Sequence, residues 1–196
     1  MIREIHALCY VLPSLMVLLV TLSGCAPIVA GGAATGAVVT NDRRTTGTVI
    51  EDQAIESKAY DFLGADGALA EQAHINVTSY NQRVLLTGEA PTEELRKRAV
   101  EYVSRIAKVR HVHDEIRIAG PSTATLRAND TLLTTKVKAK LVSIRDISAL
   151  DVKVVTEGGV VYLMGLLDQA TGDAVAEAVA TVGGISKVVK LFEAPG

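Results

Sequence analysis

The chain has 196 residues, of which 48% are hydrophobic and 21% charged, and its formal net charge is −2 at pH 7. This balance excludes bulk nucleic-acid binding, which normally needs a basic surface. The lack of tryptophan and the low aromatic content, 4%, argue against stacking platforms for bases or sugars.

The N-terminal segment is typical of an export signal. Arg3 is followed by an uncharged run at 7–22, interrupted by Pro13, and then by Leu22-Ser23-Gly24-Cys25. A basic start, an apolar core and small residues before a cleavage point indicate a secretory signal peptide, and the run is short for a permanent membrane span. The tetrad resembles the lipobox of bacterial lipoproteins, which implies cleavage before Cys25 and its acylation with palmitate. The alternative is an uncleaved helix with a coincidental cysteine.

Acylation would fix the protein to a membrane. Each buried methylene contributes ~0.8 kcal/mol, so two or three chains hold far more firmly than one. Ala26 follows the cysteine, and in the lipoprotein sorting pattern this residue indicates the outer membrane. We therefore expect a lipid anchor in the outer membrane of a Gram-negative bacterium, with the body facing the periplasm. The segment 25–48, rich in glycine, alanine and threonine, predicts a flexible tether after the lipidated cysteine.

The rest of the chain repeats itself. Val77 aligns with Val154 and Gly88 with Gly165, at one constant offset. In both copies apolar residues alternate on either side of a turn, which predicts a β-hairpin. The glycine then lies where the second strand leaves the sheet, a place for close backbone approach or a positive φ.

Helices flank each predicted hairpin. A leading helix is expected at about 51–63 in the first copy, with Phe62 among its inward residues. In the second copy it is expected from about Asp130 to Val142 or Ser143. There Asn129 or Asp130 would be the N-cap. A second helix and a last strand follow each hairpin, and a right-handed crossover makes that strand parallel to its neighbour.

The expected fold class is α+β, with two tandem αββαβ units that each contain a small three-stranded mixed sheet packed by two helices. The predicted boundaries are 1–24 for the signal peptide, 25–48 for the lipidated cysteine and tether, 49–119 for the first unit, 120–128 for a linker and 129–194 for the second unit.

This unit resembles the BON domain. Gly183-Gly184-Ile185-Ser186-Lys187-Val188 is similar to the family's glycine–aliphatic–x–x–Val signature, whereas the first copy has Ala107-Lys108-Val109 and no glycine at the matching turn. A lipobox followed by two such units is similar to the dual-BON outer-membrane lipoproteins. The resemblance implies a non-enzymatic protein that binds anionic phospholipid, supports envelope integrity and gathers at division sites.

The leading helix of the second unit is the candidate lipid-binding element. At 100° per residue, one outward arc carries most of the predicted site, and Lys136 lies on its flank. The predicted phospholipid-binding residues are Leu132, Thr135, Lys136, Lys138, Ala139 and Val142. Exposed aliphatic groups beside cations suit a headgroup region. The alternative is that the lysines merely solvate a surface helix.

The leading helix of the first unit is acidic, with Glu51, Asp52, Glu56 and Asp61 against Lys58. Anionic lipid would repel it, so we expect the first unit to pack on the second or to meet an envelope protein. This motivates a rival function, a protein-binding scaffold or chaperone-like factor for outer-membrane or cell-wall machinery.

The sequence contains little that indicates a catalytic or a metal-binding site. His111, His113 and Glu115 alternate along a predicted strand and would share a face, a geometry that suits zinc, but the pattern supplies no fourth ligand. The serines have no nucleophile-elbow context, and no phosphate-binding glycine loop is present. We predict no enzyme activity, no metal site and no cofactor.

Overall fold

The structure, a computed structural model, describes residues 42–144 and 147–195. The predicted signal peptide, Cys25 and the first part of the tether lie outside these residues. None of the helices in the described ranges is both long enough and apolar enough to cross a membrane.

The described residues form two units of the same architecture. The first contains α1 (Thr46–Ala65), α2 (Gly67–Gln72), β1 (His74–Tyr80), β2 (Arg83–Ala90), α3 (Glu93–Ser104) and β3 (His111–Ile118). The second contains α4 (Ala124–Val142), a 3₁₀ turn (Ala149–Asp151), β4 (Lys153–Glu157), β5 (Val160–Leu166), α5 (Gln169–Ala180) and β6 (Lys187–Glu193).

In each sheet the middle strand has its hairpin partner on one side and the crossover strand on the other. β2 pairs antiparallel with β1 and parallel with β3, and β5 pairs in the same way with β4 and β6. The predicted α+β class with two mixed sheets is therefore confirmed. The short helix α2 is an addition that the periodicity did not predict.

Both faces of the middle strands are buried. Since side chains alternate along a strand, Val84 and Leu86 of β2 pack under the helices of the first unit. Leu85 points to the other face, where it joins a separate cluster with Tyr162 and Met164 of β5. The two sheets therefore share an apolar contact on the sides that their helices do not cover.

Polar groups at this contact are paired across the two units. Asn76 Nδ2 donates to Glu157 Oε2 at 2.8 Å, and Asn81 Nδ2 donates to Glu193 Oε1 at 3.2 Å. Burial raises the pKa of the Glu157 carboxyl, and the bond from Asn76 opposes that rise. These bonds satisfy carboxylate oxygens, whose burial without a hydrogen bond would destabilise the fold.

The first leading helix buries a different residue from the one predicted. Ile55, Ala59 and Leu63 are buried at four-residue spacing, whereas Phe62 is 49% exposed. The prediction for Phe62 is wrong, because one residue along a helix turns the side chain by about 100°. Leu63 occupies the position one turn beyond Ala59 and takes the core contact.

The second leading helix begins earlier than predicted. Thr123 is its N-cap and accepts from Leu126 N, so the first turn of α4 lies within the predicted linker 120–128. Asp130 is not a cap. It lies inside the helix and is buried, and its role is described with the site below.

The last residues of the predicted tether are part of the folded structure. Arg43 Nε donates to Asp151 Oδ2 at 2.9 Å, and Arg44 Nη1 donates to Asp52 Oδ2 at 2.7 Å. The Arg44 guanidinium also lies 4.0 Å from the ring centroid of Tyr80, a cation–π contact. The prediction of flexibility through residue 48 is therefore wrong for residues 43–48, which carry this anchoring and the start of α1.

The missing glycine of the first unit does not remove the positive φ at the matching position. Gly184 has a φ of +100°, and Lys108, at the matching place, has a φ of +77°. Both residues adopt the left-handed conformation that glycine tolerates best. Lys108 therefore accepts the strain that the second unit avoids.

Candidate membrane-binding surface

α4 packs on its sheet through one stripe. Leu133, Val137 and Leu141 are buried at helical spacing, and Val137 and Leu141 join the core beneath β4 and β5. This leaves the opposite side of the helix in solvent. Leu132 and Val142 lie there with 62% and 74% of their surface exposed, so both are large apolar groups that the fold leaves uncovered.

The predicted site residues form one exposed surface, named here the α4 face: Leu132, Thr135, Lys136, Lys138, Ala139 and Val142. The hydroxyl of Thr135 donates to Thr131 O at 3.0 Å, so its proton is already used inside the helix. No acidic residue occurs from Thr131 to Ile144. The α4 face thus combines two aliphatic side chains with cations and no opposing charge of its own.

The lysines of the α4 face differ from three other lysines of the chain. Lys97, Lys108 and Lys190 pair with carboxylates. Lys136 and Lys138 are both exposed, and within the residues that the structure describes neither takes part in an ion pair. Their charges are therefore available to an anionic surface.

A buried carboxylate ties α4 to the sheet. Asp130 Oδ2 accepts from Gly158 N at 2.8 Å, and Oδ1 accepts from Gly159 N at 2.9 Å. Asp52 of α1 makes the same pair of bonds, with Asn81 N at 2.8 Å and Gln82 N at 2.7 Å. Each leading helix is thereby fixed to the hairpin turn of its own unit.

The sequence carries a signal for this pair of bonds. Asp52 precedes the buried Ile55 by three residues, and Asp130 precedes the buried Leu133 by the same interval. An acidic residue that recurs at matching positions beside the buried stripe of both repeats indicates a hydrogen-bond acceptor with a structural role. It argues against a helix N-cap.

The acids of α1 are engaged in a similar way. Glu56 Oε1 accepts from Ser79 N at 2.8 Å, and Glu51 accepts from the Gln82 side chain and from Lys108 Nζ. Together with Asp52, they brace the first hairpin. Much of the acidity expected on the surface of this helix therefore serves the unit itself.

The α4 face continues onto residues that sequence reasoning missed. Leu150 of the 3₁₀ turn is 58% exposed, and Lys153 at the start of β4 is exposed beside it. With Lys138 and Val142 they line a groove of about 510 Å³. Neither residue belongs to a periodic pattern, because one lies in a single turn and the other at a strand end.

The candidate zinc residues make other contacts. The rings of His111 and His113 lie edge to face with centroids 4.4 Å apart, so they share a face of β3. His113 Nε2, however, lies 3.0 Å from Arg83 Nη2, and Glu115 Oε2 accepts from the Tyr162 hydroxyl at 3.4 Å. Within residues 42–144 and 147–195, no group of three or more histidine, cysteine or acidic side chains is arranged to hold a metal ion.

Comparison with known proteins identifies the family of both units. A family model described as the BON domain matches residues 51–120 and again 129–195. The chain belongs to the BON family. Its two units are BON domains, as the resemblance of the repeated unit implied.

Relatives of this BON protein occur in several bacteria. It is 34% identical over 88% of its length to the outer membrane lipoprotein DolP of Haemophilus influenzae, and covers 89% of that protein. It is 37% identical over 77% of its length to a 21 kDa hemolysin of Actinobacillus pleuropneumoniae, of which it covers 78%. Identity to the osmotically-inducible protein Y of Escherichia coli is 28%, covering 78% of this chain and 77% of that one.

These relatives agree with the expected location. The dual-BON chain is a lipid-anchored protein of the outer membrane. The acylated residue lies outside the described range, so Cys25 stays a prediction. The binding role of the α4 face likewise stays a prediction.

Proposed function

We propose that the protein binds anionic phospholipid through the α4 face of its second BON domain, and that this binding supports outer-membrane integrity and directs the protein to division sites. The observation that carries the proposal is the exposure of Leu132 and Val142 on a helix face whose lysines form no ion pair among the described residues. A cationic helix with exposed aliphatic groups suits the boundary between headgroups and acyl chains.

The magnitudes favour a weak contact that the anchor strengthens. Burying a leucine or valine side chain contributes about 1.5–3 kcal/mol, and each lysine near an anionic leaflet about 1 kcal/mol. Leu132 and Val142 lie about 15 Å apart along the helix, so both can meet one flat surface. The acyl chains confine the domain near the bilayer, which raises its effective concentration there.

Vesicle sedimentation tests the proposal. Residues 26–196 keep all three apolar clusters, which lie within the described part of the chain, so this fragment retains its folded core without the anchor. We expect it to sediment with vesicles that contain phosphatidylglycerol or cardiolipin and to remain in solution with phosphatidylcholine alone. Leu132→Glu should weaken binding at least tenfold and Lys138→Glu at least about fivefold, given the contributions above.

Leu126→Glu is the matched control. Leu126 is on the same helix and 56% exposed, but it lies outside the α4 face. Both substitutions add one negative charge, so the difference between them reports the apolar contact alone. Leu126→Glu should therefore reduce binding far less than Leu132→Glu does. If the Leu132 and Lys138 variants sediment as the parent does, the α4 face is not the lipid contact.

The rival function, a protein-binding scaffold, rested on an acidic first domain. Glu51, Asp52 and Glu56 already accept hydrogen bonds within that domain, which leaves less acidic surface for a partner. A photo-crosslinker in place of Leu132 or Val142 in living cells separates the two functions. Crosslinks to phospholipid support the proposal, and crosslinks to one envelope protein support the scaffold.

A further inference from the structure

The groove beside the α4 face has an apolar floor and a cationic edge. Val142, Leu150, Val152 and Val154 contribute aliphatic surface, and Lys138 and Lys153 contribute two exposed cations. Its volume, about 510 Å³, falls in the range of small-molecule sites, which are mostly apolar with a few placed polar groups. The groove therefore has the chemistry of a site for an amphiphile.

The charges of the groove select the sign of its ligand. Arg44 lines one end, but Asp42 and Asp52 already neutralise it through bonds of 2.7 Å each. Among the described residues, Lys138 and Lys153 have no acidic partner. An anionic group between these two lysines would balance charges that no described carboxylate neutralises.

We infer that this groove binds a single anionic phospholipid, with its phosphate held by Lys138 and Lys153 and one acyl chain along Val142 and Leu150. The choice of anionic phospholipid as the ligand rests on the proposed function. What is added is a separate site, which holds one lipid molecule lifted out of the plane of the leaflet. Lys153 and Leu150 become binding residues outside the α4 face.

The competing occupant is the segment 26–41 of this chain, which precedes Asp42 near the same end of the groove. This segment contains small and aliphatic residues and no charged side chain. It can cover apolar surface, but it cannot neutralise Lys138 and Lys153. Charge complementarity therefore favours the lipid.

Monomeric lipid separates this site from the α4 face, which needs a bilayer. We would titrate residues 26–196 with dihexanoyl phosphatidylglycerol below its micelle concentration and follow the methyl resonances of Val142 and Leu150 by NMR. We expect saturable shifts, with much weaker binding of dihexanoyl phosphatidylcholine and of glycerol phosphate. Glycerol phosphate that binds as tightly as the lipid would identify a free-phosphate site and overturn the acyl-chain contact.

Two variants and one control locate the site. Lys153→Glu should raise the Kd for the monomeric lipid at least about fivefold, and Leu150→Glu should raise it further. Unfolding temperatures should stay unchanged, because both side chains are exposed. Lys187→Glu removes an exposed lysine of β6 and should leave the Kd unchanged. If Lys153→Glu also leaves it unchanged, the inference fails.

The outcomes for the two proposals differ. Leu132→Glu should weaken vesicle binding and leave monomer binding intact, since Leu132 does not line the groove. Loss of monomer binding with vesicle binding retained would overturn the groove site alone. A fragment starting at residue 42 that shifts the Leu150 resonances before any lipid is added would show that the segment 26–41 fills the groove, and would overturn the site as well.

Discussion

Asp130 on α4 holds the backbone of Gly158 in the β4–β5 turn, with 2.8 Å between its Oδ2 and the glycine nitrogen. Its other oxygen accepts from Gly159, so one carboxylate serves both residues of the turn. Because the bonds join a helix to a hairpin, they fix the helix that carries the α4 face relative to the sheet. Asp52 repeats the arrangement in the first BON domain.

Removing this carboxylate should loosen the second domain. Asp130→Ala leaves two turn N–H groups without their charged acceptor, and we expect a loss of about 2 kcal/mol in the free energy of unfolding. Urea unfolding measures it. Asn129→Ala, at an exposed neighbouring position, should change stability by less than about 0.5 kcal/mol. Equal stability of the two variants would mean that the bonds to the turn contribute nothing.

Gly88 should tolerate no side chain. Its φ is +108°, and a Cβ there would lie 2.0 Å from the carbonyl oxygen of His74 on the paired strand. Gly88→Ala must therefore separate β1 from β2, at a cost of at least about 3 kcal/mol. Thermal unfolding is the measurement.

Gly64 provides the matched control for that substitution. It lies in α1, and a Cβ there would meet nothing within 4 Å. Gly64→Ala should stabilise the protein by about 0.5–1 kcal/mol, because alanine loses less backbone freedom in a helix. A Gly88→Ala protein as stable as the parent would contradict the close approach of the two strands.

The turn before β3 should improve with the family glycine. Lys108 carries a φ of +77°, a conformation that costs an L-residue about 1 kcal/mol. Its pair with Glu51, at 3.2 Å, is exposed and contributes less than that. We expect Lys108→Gly to stabilise the protein by up to about 1 kcal/mol in urea unfolding.

The reciprocal change, Gly184→Lys, should destabilise the second domain. There the φ is +100°, and an added Cβ would lie 2.9 Å from Leu133 Cδ2. Steric crowding therefore adds to the conformational cost. Destabilisation by Lys108→Gly would show that the side-chain contact outweighs the backbone strain.

Stability should depend on pH through His113. Burial, together with the charges of Arg83 and His111, lowers the pKa of His113 to about 4. Between this value and the ordinary pKa of about 6.5 the unfolded chain binds more protons than the folded one, so stability rises with pH across that window. His113→Gln should flatten the dependence of the urea midpoint between pH 4 and 6.5. An unchanged slope in the variant would assign the effect to other groups.

The repeat made most of the fold predictable. Alternation around Asn81-Gln82 and Gly158-Gly159 fixes both hairpins, because strand side chains have a period of two. Helical spacing located α3 and α5, and the α4 stripe of Leu133, Val137 and Leu141. Leading-helix boundaries were less reliable, since Thr45 and Thr123 cap them in segments without apolar periodicity.

Local pattern alone determined the α4 face. The helix turns by 100° per residue, so burying Leu133 and Val137 forces Leu132 and Val142 outward. Contacts between residues distant in the chain were left to the tertiary structure: Asp130 reaches Gly158, Arg43 reaches Asp151, and Leu150 and Lys153 complete a groove with Lys138. Sequence period reports only which way a side chain points from its own element, whereas the partner it meets depends on how the elements pack.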